Sequence, residues 1–129
     1  MSLTPITVVL VFTPEGDTFE ERLDAPPTGP ALEAWNSVRE QDYPADLLDV
    51  VLVRNVEGLP LEEMQVYGAK QATTDWVAFI GEDEMWAPYY LSLHMEQILH
   101  FGWGHFISPW RGLVSVNRKT SPLWSAHRG

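Results

Sequence analysis

The chain has 129 residues, no cysteine and a formal net charge of −10. One domain of this length can bury a substantial core, and the lack of cysteine excludes disulfides, thiolate catalysis and cysteine-based zinc sites. Residues 1–84 hold 17 of the 18 acids, whereas residues 85–129 hold one acid and four bases. We expect the acidic part to bind no nucleic acid, because its charge would repel phosphates.

The sequence also argues against insertion in a membrane. Its longest early apolar run, Ile6 to Phe12, is far shorter than the roughly 20 residues that a spanning helix needs. The run lacks the basic flank of a signal peptide. We therefore expect no membrane span and a cytoplasmic location.

The first half of the chain predicts a strand, a long connection and a helix. Ile6 to Phe12 is largely apolar and rich in β-branched residues, which favours a central strand. The connection is rich in Pro and Gly and has room for a helical turn at residues 18–24. The helix begins at Pro30, a residue suited to a first turn. Its predicted inward stripe is Leu32, Trp35 and Val38.

The following residues predict two more strands and two more helices. A strand at Leu47 to Val53 runs into the loop that begins with Arg54 and Asn55. A helix follows from Leu61 to Thr73, then a buried strand from Trp76 to Ile80, and Pro88 opens a helix that ends near Phe101. The helix from Leu61 to Thr73 is expected to pack through Met64, Tyr67 and the small pair Gly68-Ala69.

The order of these elements indicates one α/β domain over residues 1–129, with a mostly parallel central sheet flanked by helices. Residues 113–117 form a predicted fourth strand. Residues 102–129 make an aromatic and basic tail, which we expect to pack on the domain or on a partner chain of a homo-oligomer, because large exposed apolar patches are rare on monomers.

Three consecutive carboxylates follow the third predicted strand. Glu82, Asp83 and Glu84 come directly after Gly81, at the carboxyl end of that strand. Ligands of open α/β sheets bind at this edge. Adjacent acids repel one another unless solvent, a cation or a basic ligand relieves them. The residues alone leave two interpretations open, a solvated acidic turn and a cation site.

The chain resembles the amino-terminal half of the family-2 glycosyltransferases, which have the three-layer, Rossmann-like GT-A fold. The resemblance covers roughly residues 6–101. It rests on the first strand ending at Thr13-Pro14, on the strand from Asp49 to Val53, and on three motifs. The motifs are Ser37-Val38-Arg39-Glu40-Gln41-Asp42-Tyr43-Pro44, Gly68-Ala69-Lys70-Gln71-Ala72 and Phe79-Ile80-Gly81-Glu82-Asp83-Glu84-Met85-Trp86-Ala87-Pro88.

The resemblance implies a transferase that uses a nucleotide-sugar and a divalent metal, Mn²⁺ or Mg²⁺. The acidic motif of the family holds the cation that bridges the sugar-nucleotide diphosphate, which here points to Asp83 and Glu84 as metal ligands. The residues expected along the nucleotide-sugar are Thr13, Pro14, Arg54, Asn55 and Glu82.

The sequence departs from the family pattern at three points. Gly81 stands where the first acid of the motif falls, and Arg54 or Asn55 stands where the family has an Asp that helps to bind the nucleoside. Arg54 could pair with a phosphate or with neighbouring acids. The general base is the third departure. Glu96 is the one acid after Glu84, which makes it the candidate for removing the acceptor's proton.

Two functions follow from this comparison. The first is a metal-dependent glycosyltransferase of the hexosyltransferase type, which transfers a sugar to an unknown acceptor. The alternative is a non-catalytic, degenerate relative that keeps the fold as a binding or interaction module. The surviving acids favour the first function, and the three departures favour the second.

Overall fold

The structure is a computed structural model of the chain, and it describes residues 5–74, 76–101 and 113–115. The predicted aromatic and basic tail, residues 102–129, lies outside the described residues except for 113–115. In the described part, no helix combines the length and the apolar composition needed to cross a membrane.

The described residues form a central sheet and the helices that flank it. The strands are β1 (Ile6–Phe12), β2 (Leu48–Arg54), β3 (Trp76–Ile80) and β4 (Leu113–Ser115). The helices are α1 (Phe19–Asp24), α2 (Gly29–Arg39), α3 (Leu61–Lys70) and α4 (Tyr90–Phe101), with a short 3₁₀ turn at Ala45–Leu47.

The sheet has the strand order β2-β1-β3-β4. Strand β1 runs parallel to both β2 and β3, and its register pairs Val8 with Val50 on one side and with Ala78 on the other. Strand β4 is antiparallel to β3. The predicted α/β class, with a mostly parallel sheet and a central first strand, is confirmed.

The two faces of the sheet carry separate cores. Ile6, Val8, Leu10 and Phe12 of β1 are fully buried on the face that packs against α2 and α4. The intervening residues Val9 and Val11 belong to a second core beneath α3. This alternation follows from the two-residue period of a strand. The domain therefore has helices on both sides of the sheet, as predicted.

The helices present faces that differ in part from the expected ones. In α3 the buried residues include Val66, Gly68 and Ala69, whereas Tyr67 is 55% exposed, so its predicted inward position was wrong. In α2 the buried face is lined by small residues, and Leu32 is exposed. Small side chains bring a helix close to the sheet, and larger neighbours then lie outside the contact.

The Gln41 side chain joins the end of α2 to the start of α4. Its amide nitrogen donates to the carbonyl oxygen of Ala87 at 2.7 Å, and its amide oxygen accepts from the Leu91 N–H at 3.0 Å. The Asp42 N–H also donates to the Pro88 carbonyl oxygen at 2.8 Å. These bonds fix the segment that follows the three carboxylates.

Candidate functional site

An open cavity of about 550 Å³ lies at the carboxyl edge of the parallel strands, and we call it the edge cavity. It collects residues from the ends of β1, β2 and β3 and from the first turn of α2. Its lining in the described part is Val11, Phe12, Thr13, Glu15, Thr28, Pro30, Ala31, Asn55, Leu59, Leu61, Gly81, Glu82 and Asp83.

Glu82 connects the acidic loop to the end of β1. Its carboxylate accepts a hydrogen bond from the Thr13 N–H at 2.9 Å and a longer one from the Thr13 hydroxyl at 3.4 Å. The two loops are neighbours because β1 and β3 are adjacent parallel strands. Thr13 and Glu82, both predicted nucleotide-sugar residues, are therefore in direct contact at the edge cavity.

Asp83 and Glu84 converge on the space beside Gly81. The Glu84 carboxylate accepts from the Gly81 N–H at 2.9 Å, and the Glu84 N–H donates to the Gly81 carbonyl oxygen at 3.1 Å. A Cβ atom at position 81 would lie 2.7 Å from Glu84 Oε1 and 3.2 Å from Asp83 Oδ1. The carboxylates of Asp83 and Glu84 thus occupy the space into which a side chain at position 81 would extend.

The two predicted residues at the end of β2, Arg54 and Asn55, have different positions. Asn55 lines the edge cavity, and its side-chain amide exchanges two 2.9 Å hydrogen bonds with the backbone of Leu59, which closes the loop between them. Arg54 does not line this cavity. Its Nε donates to the Ala25 carbonyl oxygen at 2.7 Å, and its guanidinium lies 5.6 Å from the centre of the Phe12 ring.

The other two predicted site residues lie away from the cavity lining. Pro14 is buried just beyond the end of β1. Glu96 is exposed on α4 and does not line the edge cavity. The structure therefore brings together Thr13, Asn55, Glu82 and Asp83, with Glu84 beside them.

The first turn of α2 was missed in the sequence interpretation. Thr28, Pro30 and Ala31 line the edge cavity, and no side chain caps this end of the helix. The amino end of a helix carries unpaired N–H groups and favours anions. The predicted topology could have revealed this position, because a helix that connects two parallel strands begins at their carboxyl edge.

The described residues contain no group of three Asp, Glu or His side chains that could hold a metal ion by themselves. The donor set beside Gly81 consists of two carboxylates. Such a set suits a hard cation that keeps several waters and takes further oxygens from a phosphate ligand.

Comparison with known proteins identifies the fold. The sequence matches no protein-family model and no curated protein. Among solved structures, a crystal structure of residues 1–349 of the S. aureus glycosyltransferase TarS aligns with 74% of the chain at a TM-score of 0.52 and 16% identity. The chain has a glycosyltransferase-like fold. It spans 32% of the TarS chain, about a third of its length.

Proposed function

We propose that the chain binds a nucleotide-sugar and a divalent metal ion in the edge cavity and acts as a metal-dependent glycosyltransferase of the hexosyltransferase type. The acceptor is left open. The observation that carries this proposal is the meeting of Thr13, Asn55 and Asp83, which follow three adjacent parallel strands, around one cavity in a glycosyltransferase-like fold. Ligands of open α/β sheets bind in crevices at this edge.

The metal ion would be Mn²⁺ or Mg²⁺ held by Asp83 and Glu84. Both side chains place a carboxylate oxygen beside Gly81, so they face a common space. A nucleoside diphosphate that leaves a sugar carries concentrated negative charge, which a bound divalent ion would neutralise. Glu84 would have to exchange its bond with the Gly81 N–H for the ion, whereas Asp83 is exposed at the cavity.

The nucleotide would lie between the end of β1 and the loop that begins at Asn55. The exposed apolar walls, Leu59 and Leu61, suit the flat face of a nucleobase, and the uncapped first turn of α2 suits a phosphate group. Arg54 supports the site from outside by its bond to Ala25, which fixes the connection between α1 and α2 to the sheet edge.

A second candidate function is a binding module without turnover. Glu96, the one acid after Glu84, is exposed on α4 and does not line the edge cavity. An inverting transfer requires a group that takes the proton of the acceptor hydroxyl. The position of Glu96 favours a chain that binds a nucleotide-sugar but needs a base from elsewhere.

Isothermal titration calorimetry would test the proposed binding. UDP, GDP and their hexose conjugates are titrated into the chain with Mn²⁺ and again with a chelator. We expect metal-dependent binding, and Asp83→Ala should weaken it at least about tenfold, the loss expected when a charged ligand to a bound ion is removed. The matched control is Asp46→Ala, which removes an exposed acid from the 3₁₀ turn.

The outcomes separate the two functions. Release of UDP or GDP from the conjugate in the presence of metal would support a transferase. Metal-dependent binding without release would support the binding module. If none of the nucleotides bound with or without Mn²⁺, the proposed nucleotide-sugar site would be wrong.

A further inference from the structure

Strand β2 forms one edge of the sheet, because the strand order begins with it. On one side it pairs with β1 over all seven of its residues, from Leu48 to Arg54, and the register runs without a bulge. Among the described residues, no strand pairs with its other side. An edge of this kind presents N–H and C=O groups that can bond to a further strand.

The backbone groups that point outward from this edge can be identified. The Asn55 N–H donates to the Phe12 carbonyl oxygen at 2.9 Å, so position 55 points toward β1. Alternate residues of a parallel ladder point to the same neighbour, so Val51 also points toward β1, whereas Val50 and Leu52 point outward. Within the described part of the chain, no residue forms a hydrogen bond with these outward N–H and C=O groups.

The side chains of β2 are also incompletely covered. All seven residues of β1 are buried, whereas Val53 is the one buried residue of β2. Leu48, Val50 and Leu52 pack as partly buried residues against one core, and Val51 packs in the same way against the other. Strands of a parallel sheet are ordinarily covered on both faces. An added strand would cover these apolar side chains from the open edge.

Exposed apolar side chains continue this surface beyond the end of β2. A cavity of about 460 Å³ lies there between α1 and α3, next to Arg54. Phe19, Leu23 and Tyr67 line it and are 48%, 47% and 55% exposed. Single exposed apolar residues are ordinary, but three around one cavity at the end of an open strand mark a contact surface.

The edge lacks the usual protection against pairing. Edge strands are commonly shielded by proline, lysine, a bulge or a short length. Strand β2 contains neither proline nor lysine, and its seven residues pair with β1 without a bulge. Its charged residues are Asp49 and Arg54, so the strand has no net charge, although the chain has a net charge of −10. Two copies of this acidic chain can therefore meet here without opposing like charges on the strands.

Two copies of β2 fit together in the antiparallel direction. A two-fold axis perpendicular to the sheet, passing beside Val51, pairs outward groups with outward groups and overlaps the strands over their whole length. Val50 of one copy then lies opposite Leu52 of the second copy. Asp49 of one copy lies at the same end of the joint as Arg54 of the second, whereas the two Asp49 residues are about 13 Å apart along the strand direction.

We propose that two copies of the chain pair through β2 in this antiparallel register, which joins their four-stranded sheets into one continuous sheet. Val50 and Leu52 exchange backbone hydrogen bonds across the joint, and Val51 lies beside the two-fold axis. The partner of the open edge is thus a second copy of the same chain. The proposal does not depend on the nucleotide-sugar site.

Amide hydrogen exchange measured by NMR, with sedimentation velocity on the same samples, tests the pairing in the full chain. We expect a dimer in which the N–H groups of Val50 and Leu52 exchange at least about tenfold more slowly than in the monomer obtained by dilution. The N–H groups of Val51 and Val53, which point toward β1, are the internal control and should be protected in both states. A chain that is monomeric at every concentration would overturn the proposal, and so would a dimer with unprotected Val50 and Leu52.

A proline at position 50 should prevent pairing and leave the domain folded. Val50→Pro removes an outward N–H that β1 does not use, and edge strands tolerate proline in this orientation. Val50→Ala is the matched control, because it shortens the same side chain and keeps the N–H. We expect the dissociation constant of the dimer to be at least about tenfold higher for proline than for alanine, with equal far-ultraviolet circular dichroism. Equal dissociation constants would show that the joint does not use this N–H.

The absence of cysteine allows a test of the register. Val51→Cys places one thiol beside the two-fold axis, opposite the same thiol of the second copy, at a separation that a disulfide can span. Val50→Cys would lie about 8 Å from its counterpart, and Tyr89→Cys, at a residue that is 58% exposed outside β2, reports random encounters.

Under the same mild oxidation, Val51→Cys should form a disulfide-linked dimer at least about ten times faster than either control. Equal rates for the three variants would overturn the antiparallel pairing centred on Val51. No measurement in these tests uses a nucleotide, so this proposal can fail while the nucleotide-sugar site stands.

Discussion

Gln41 shows how one buried side chain organises the region after the acidic loop. It is 8% exposed and bonds to the backbone of Ala87 and Leu91, and its amide nitrogen also donates to the Ser37 carbonyl oxygen at 3.1 Å. The Trp86 N–H donates to the neighbouring Ser37 hydroxyl at 3.1 Å. Two of the three motifs on which the family resemblance rests are thus held together by hydrogen bonds.

Replacing Gln41 with alanine should destabilise the domain by about 2–3 kcal/mol, because the Ala87 carbonyl and the Leu91 N–H lose their partner in a buried setting. Urea denaturation followed by circular dichroism measures the change. Gln71→Ala is the control, since Gln71 is exposed and makes one long bond of 3.4 Å to Tyr67. A loss no larger than that of the control would show that Gln41 is not a structural bridge.

At the residue scale, the sequence predicted which residues meet at the sheet edge, whereas their roles in binding remain predictions. Thr13, Asn55, Glu82 and Asp83 line one cavity because residues after adjacent parallel strands must meet at one edge. The sequence did not predict the directions of the flexible side chains. Arg54 points to the Ala25 carbonyl, and Glu84 turns back to the Gly81 N–H, and local spacing specifies neither contact.

Helix α3 packs close to the sheet because it has a glycine, Gly68, at the contact. A Cβ atom on Gly68 would lie 2.5 Å from Val9 Cγ1 and 2.9 Å from Val53 Cγ2. Both valines are buried, and their branched side chains are fixed close to the backbone. The glycine therefore allows α3 to contact β1 and β2 at a distance that an alanine would forbid.

Gly68→Ala should cost about 1–2 kcal/mol of stability, because the overlap with two valines outweighs the gain of up to about 1 kcal/mol in helix propensity. The measurement is the free energy of unfolding in urea. The cost of Gly68→Ala should be smaller when it is measured in a Val9→Ala background, since that change removes the nearer contact. Higher stability of Gly68→Ala alone would contradict the close packing of α3.

The elements were easier to predict than their ends and faces. Strand β1 begins and ends at the predicted residues, because its run is short, rich in β-branched residues and bounded by Pro5 and by Thr13-Pro14. Helix α3 ends at Lys70, three residues before the predicted end, and Tyr67 lies outside its buried face. Those details depend on how closely Gly68 and Ala69 approach the sheet, which a helical period does not reveal.

At the scale of the whole molecule, the chain is an acidic α/β domain followed by a basic segment. The fold places the carboxyl ends of β1, β2 and β3 around the edge cavity. The predicted α/β class was confirmed, and so was the position of the acidic loop at the carboxyl edge of the sheet, because both follow from the order of the elements. Metal binding and oligomerisation remain predictions, because the order of elements specifies neither a bound ion nor a partner chain.

A ligand that binds the folded chain must raise its thermal stability. At a nucleotide-sugar concentration about one hundred times its Kd, mass action adds about 2.7 kcal/mol, which corresponds to a rise in Tm of roughly 10 °C for a domain of this size. Differential scanning calorimetry with Mn²⁺ measures the rise. A chelator should abolish it, because the proposed ion links the diphosphate to Asp83 and Glu84.

A variant of the acidic loop tests whether the rise in Tm depends on the proposed metal ligands. Asp83→Ala should reduce the rise in Tm, whereas Asp46→Ala, which alters an exposed acid of the 3₁₀ turn, should keep it. An equal rise with Mn²⁺ and with chelator would mean that the nucleotide binds without the metal. In that case the acidic loop would be a solvated turn, held by the bonds of Glu84 to the Gly81 N–H and of Glu82 to Thr13, and the nucleotide would depend on the walls of the cavity alone.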